Sequence, residues 1–190
     1  MPTRRTALAL TAAMLLLPLP VRAGDADAAR EVVQQLLRDA RHSLNGCCPE
    51  AALTDAVEVA FDFDIWEKFL LQKRGEAFSQ DERAQFRNLL PGFLAHLYRQ
   101  SFDKGMAAAP TVGDTRKARR DIMVSSHFSR DKGGPLPVDW RLRNIGGQMR
   151  VIDIMVGGTS FLLLKRDEFN AIIDTGGAAA LLSHMRENAL

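Results

Sequence analysis

The stretch that decides the fold is VDWRLRNIGGQMRVIDIMVGGTSFLLLKRDEFNAII, residues 138–173. Val138, Trp140 and Leu142 alternate with Asp139, Arg141 and Arg143, a period of two that marks a strand with one face buried. Asn144 and the pair Gly146-Gly147 predict a tight turn at 144–147. Met149, Val151 and Ile154 then start a second strand, which runs into a further turn at Gly157-Gly158. This antiparallel hairpin has one greasy face. Whether that face packs solid or encloses something is the question the rest of the chain has to answer.

Towards the N-terminus the pattern is helical. Val33, Leu36, Leu37, Ala40 and Leu44 recur at 3.6-residue spacing, and Asn45-Gly46 predicts the end of that helix. Pro49 suits the first turn of the next, which carries Leu53, Ala56, Val57 and Ala60. Asp64 with Glu67 and Ser79 with Glu82 both have capping-box spacing. Ile65, Trp66, Phe69 and Leu70 form the stripe of a short helix ending near Gly75. From Ser79 a longer one presents Phe86, Leu89, Leu90, Phe93, Leu97 and Phe102, with Pro91 expected to kink or split it. After Pro110 a strand is expected over 119–128. Beyond the hairpin, two short helices over 165–174 and 178–186 flank a break at Gly176-Gly177. Helices first and sheet later indicate an α+β class: a helical N-terminal half packed on a small, twisted, mainly antiparallel sheet.

The N-terminus reads as an export signal. Arg4 and Arg5 precede an apolar run from Ala7 to Leu17, and Val21-Arg22-Ala23 is a small-x-small cleavage site. The apolar run is too short for a spanning helix. Cutting after Ala23 takes 23 of the 190 residues and leaves 167, a length that suits one domain over 24–190. The leader holds three of the 25 basic residues and none of the 23 acids, so the remainder carries 22 cations against 23 acids. The basic balance belongs to the part removed, and no nucleic-acid partner is expected. The two cysteines, Cys47 and Cys48, are adjacent and cannot staple distant segments.

Catalytic signatures do not emerge. His42, His96, His127 and His184 are scattered, without metal-ligand spacing, so neither a metal nor a cofactor is expected. Ser125-Ser126-His127 is adjacency along the chain, not triad geometry. Asp62 and Asp64 flank Phe63 among apolar neighbours, where a helix cap at Asp64 is the plainer reading than paired acid–base groups. Residues 116–120, RKARR, read as a solvated face or as a docking patch for an anionic headgroup or an acidic partner.

Three stretches together resemble the MlaC family, the toluene-tolerance type of periplasmic lipid shuttles. They are FDFD (61–64), SQDERAQFRNLLPGFLAHLYRQSF (79–102) and the opening stretch, with the likeness running from about Ala28 to about Met185. The resemblance implies a mixed fold enclosing an apolar cavity for acyl chains, and transport without catalysis. It also implies an outer-membrane lipoprotein complex and the MCE-domain subunit of an inner-membrane ABC transporter as partners, with maintenance of outer-membrane lipid asymmetry as the role. A phospholipid is the expected cargo and a hopanoid or other polycyclic lipid the alternative; a monomer is expected.

Solvation energetics fit such a shuttle. A two-chain lipid exposes about 30 methylenes, and moving them into water costs roughly 24 kcal/mol. Covering on the order of 1,000 Å² of lipid offsets that, and an open patch of such size would aggregate the protein, so the chains must go inside. The candidate walls are Trp66 and Phe69; Leu90, Phe93, Leu97 and Tyr98; and Trp140, Leu142, Val151, Ile154 and Phe161, with Arg141 and Arg143 turned to water or a partner. The same apolar inventory could equally fill a solid core. A small α+β enzyme using Asp62 or His127 as base, and a ligand-free interaction module, are the competing classes.

Overall fold

A computed structural model describes residues 23–44, 49–103, 110–130 and 132–189. Residues 1–22 of the expected export signal and the Cys47-Cys48 pair lie outside these residues. Among the described residues, five α-helices and a five-stranded sheet follow in the order α1 (Ala23–Leu44), α2 (Pro49–Ala60), α3 (Phe63–Leu71), a 3₁₀ stretch (Gln72–Ala77), α4 (Gln80–Asp103), β1 (Thr111–Ala118), β2 (Asp121–Phe128), β3 (Leu136–Ile145), β4 (Gln148–Val156), β5 (Thr159–Ser160) and α5 (Phe161–Glu187). The strands pair antiparallel in sequence order, an open meander, and the α+β expectation holds.

The opening hairpin forms with its turn where expected. Trp140 stands opposite Ile154 and Val138 opposite Val156, with a bulge after Arg141. At the turn Gly146 and Gly147 take positive φ, and the Asn144 side-chain oxygen accepts from the Gly147 N–H at 3.0 Å. Val138, Trp140, Leu142 and Val151 are buried in one core with Ala29, Val33, Leu36 and Leu37 of α1 and Leu53 and Val57 of α2. The helical layer thus covers one face of the sheet.

Several local expectations are corrected. The helix following Phe61 is capped by Asp62, whose carboxylate accepts the Ile65 N–H at 2.8 Å, while Asp64 pairs with Arg87. Asp62 precedes the first helical turn, where orphan N–H groups await an acceptor; Asp64 already lies inside that turn. The Ser79–Glu82 box forms reciprocally: Ser79 N–H and Oγ–H both donate to Glu82 at 2.8 Å, and Glu82 N–H donates back to Ser79 Oγ at 3.2 Å. α4 runs through Pro91 as one helix. Buried Phe86 and Leu90 before it and Phe93 and Leu94 after it anchor both turns, so packing overrides the lost backbone bond. The two C-terminal helices within α5 do break where expected, at Gly177, whose φ of 68° and ψ of −165° are not helical, but the first of them starts earlier than expected, at Phe161.

β1 is the strand the sequence pattern did not announce. It pairs with β2 as a hairpin, so the expected strand over 119–128 is shortened to begin at Asp121, and residues 119–120 form the turn. Arg141 and Arg143 are not simply turned to water: their side chains grip Asp121 at 2.6 and 2.7 Å on the sheet's outer face.

Candidate apolar binding cavity

One end of the molecule is hollow. The cavity holds about 160 Å³ and lies between the sheet and the helical layer. Leu36, Leu37 and Ala40 of α1 and Leu53 and Val57 of α2 form one wall. The second half of α4 supplies Leu94, Leu97, Tyr98 and Ser101. The sheet closes the other side with Phe128, Leu136, Val138, Trp140, Ile154 and Val156, and Phe61 and Phe161 complete it. These strand residues sit towards the end of β2, the start of β3 and the end of β4, which is one end of the sheet.

The few polar atoms in the wall are turned to other partners. Trp140 donates its ring N–H to Ser126 Oγ at 2.9 Å, and Ser126 in turn donates to the Val138 carbonyl at 2.9 Å. Ser101 donates to the Leu97 carbonyl at 3.0 Å. Burial raises the pKa of the Tyr98 phenol, which therefore stays neutral at any physiological pH. A wall of this kind offers dispersion and desolvated surface, with no charge to attract a polar guest.

Two devices fix Phe61 and Phe161 of the wall to the sheet. Asp62 N–H donates to the Val151 carbonyl at 3.1 Å, and Phe61 bridges β4, which ties the α2–α3 joint to the sheet. At the other side Asp153 accepts from Ser160 Oγ–H (2.8 Å), Ile154 N–H (2.8 Å) and Leu162 N–H (3.2 Å). That knot holds the first turn of α5, and with it Phe161, against β4. Burial pushes the Asp153 carboxyl up, opposed by those hydrogen bonds.

Of the side chains singled out from sequence, Leu97, Tyr98, Trp140, Ile154 and Phe161 come together in the cavity wall. Trp66 stands one ring behind, its centroid 6.3 Å from Phe161 and 5.3 Å from Phe61. Leu142 and Val151 are fully buried further along the hairpin. Leu90 and Phe93 belong to a filled region, where Phe93 packs on Phe169 at 5.5 Å. Phe69 lies under the Arg166 guanidinium at 5.4 Å. The α1 and α2 walls were visible only as helical stripes, indistinguishable from ordinary core.

The remaining chemistry-bearing groups lie elsewhere. Asp62 is occupied as a cap, and His127 is exposed on the outer face of β2. A wider, more polar groove of about 630 Å³ runs outside the α1–α2 pair beside Asp39 and Asp55, sharing Leu36 with the cavity. Among the described residues no group of His, Cys, Asp and Glu could hold a metal ion, and no helix is long and apolar enough to cross a membrane.

Comparison with known proteins places this architecture. No curated protein sequence matches the chain. Among solved structures, that of the phospholipid-binding protein from Ralstonia solanacearum in complex with a phospholipid aligns with a TM-score of 0.68. It is 17% identical, and the alignment covers 85% of this chain and 96% of that one, a likeness of fold. The family model described as MlaC protein matches residues 28–187, most of the chain. The chain belongs to the MlaC family.

Proposed function

We propose that this protein is a non-enzymatic carrier that shields phospholipid acyl chains while moving the lipid between the outer and inner membranes. The observation that carries the reading is the cavity itself: seventeen residues line it, and only Tyr98 and Ser101 bring a hydroxyl. A binding site for a soluble metabolite would need convergent polar groups to fix orientation. Membership of the MlaC family and the lipid-bound relative of the same fold point the same way.

The size of the space sets the mode of loading. A cavity of about 150 Å³ admits one benzene-sized guest. At 160 Å³ the present space takes the end of one acyl chain, so a whole chain requires the α1–α2 layer and the sheet to separate further. The headgroup stays outside, and specificity follows from cavity shape. In this reading the leader is cleaved after Ala23, where α1 begins, and delivers the protein to the periplasm as a single domain over 24–190. An MCE-domain subunit of an inner-membrane ABC transporter and an outer-membrane lipoprotein complex are the partners that fit.

Native mass spectrometry of the protein purified from its periplasm, followed by organic extraction, tests this. The expected mass is that of a chain starting at Gly24 with one phospholipid bound. Release of a hopanoid would keep the carrier and change the cargo. An apo mass that persists after incubation with phospholipid vesicles would contradict the reading.

A further inference from the structure

The end of the sheet away from the cavity is strongly basic. There, Arg116 of β1 reaches Asp139 of β3 at 3.0 Å, and Asp121 is shared by Arg141 and Arg143. Lys117, Arg119 and Arg120 are exposed and make no ion pair among the described residues. Six cations against two carboxylates leave a surplus of four. Counting Asp25 as well, which accepts from Asn144 at the same end, leaves three.

The backbone at this tip is strained. The β1–β2 turn has two residues, and Arg119 at its first position has a φ of 57°. Positive φ at that position is a demand glycine meets, and a side chain there is strained. Shielding the edge of a sheet from aggregation needs only a charge somewhere on the strand, which Arg116 and Lys117 already supply, together with a bulge, present between Val112 and Thr115. Two arginines in a strained turn exceed that requirement.

β1 is also an edge strand. Among the described residues its backbone pairs with β2 alone, leaving one row of N–H and C=O groups open. We propose that this basic tip and the open edge of β1 dock an acidic, extended segment of a protein partner, which adds alongside β1 and places its carboxylates on Lys117, Arg119 and Arg120. The choice of a protein over an anionic bilayer rests on the carrier reading: the cavity lies at the opposite end of the sheet, so a membrane held at this tip would lie away from the cavity. A protein docked here leaves the cavity end of the sheet free for transfer.

Fluorescence anisotropy of a fluorescein-labelled oligoglutamate peptide, titrated with the mature protein, tests the proposal. The triple variant Lys117→Glu, Arg119→Glu, Arg120→Glu is expected to weaken binding roughly tenfold or more, and Lys68→Glu with Lys73→Glu, exposed on α3 and the turn after it, by less than about twofold. Should the triple variant fail to fold, Lys117→Gln with Arg120→Gln is expected to weaken binding roughly threefold. Equal weakening by both sets of variants would overturn the proposal. So would unchanged peptide binding accompanied by lost binding to phosphatidylglycerol vesicles, which would make a bilayer the occupant. Lipid content measured on every preparation separates this outcome from a failure of the carrier function.

Discussion

The two halves of α4 make the most instructive contrast in the molecule. Before and just after Pro91 the helix presents Phe86 and Phe93 to Phe169, with ring centroids 6.0 and 5.5 Å apart, and Phe78 closes on Phe86 at 6.4 Å. That region is filled. From the next residue on, the same helix presents Leu94, Leu97, Tyr98 and Ser101 to the empty space. The side chains are similar in size and polarity; what differs is whether another element stands opposite. α5 packs against the first half, and the second half looks across a gap to the sheet.

The contrast can be broken most forcibly from the filled side. Phe93→Ala or Phe169→Ala removes a ring from a close-packed cluster and is expected to cost about 3–5 kcal/mol in chemical denaturation. Lipid bound per folded chain should not change. Ala40→Phe acts on the hollow side: it fills existing space, so stability should shift by less than about 1 kcal/mol while bound phospholipid falls roughly tenfold. Retained lipid with that ring in place would sink the cavity as the acyl site.

Two smaller predictions probe the opposite end of the sheet. Burial disfavours the charged form of Asp121, but the hydrogen bonds from Arg143 and Arg141 outweigh it and lower the pKa. A folded pKa below the unfolded value of about 3.9 gives stability that is present above that pH and lost as the pH falls through the folded pKa. Asp121→Asn is therefore expected to cost about 2 kcal/mol near neutrality and to flatten the acid limb of an unfolding curve below about pH 4. Arg119→Gly relaxes the strained turn and should stabilise the fold by less than about 1 kcal/mol, seen as a small rise in Tm.

The hairpin, the Ser79–Glu82 box and the break at Gly177 were legible because each rests on local rules: alternation, capping spacing, glycine chemistry. β1 was not, since this largely exposed edge strand carries Gly113, Asp114, two cations and small residues without any alternation. Asp62 and Asp64 could not be ordered as cap and ion-pair partner without the position of Arg87, which lies on the next helix, α4. The cavity was the least legible feature. Leu36, Leu53 and Leu97 look in sequence like Leu90 and Phe93, and the sequence does not say which of them has a neighbour across the interior. Five of eleven chosen side chains reach the cavity wall, and the helical wall from α1 and α2 was read only as core.

The two tryptophans allow the central claim to be tested with one optical measurement. Trp140 lines the cavity and Trp66 stands behind Phe161, outside it. Trp66→Phe and Trp140→Phe each leave a single reporter, and the first also removes a buried ring N–H that has no partner among the described residues. Loading both with a phospholipid brominated along its acyl chains should quench Trp140 strongly and Trp66 weakly. Equal quenching of the two, or none of either with lipid bound, would place the acyl chains somewhere other than this cavity.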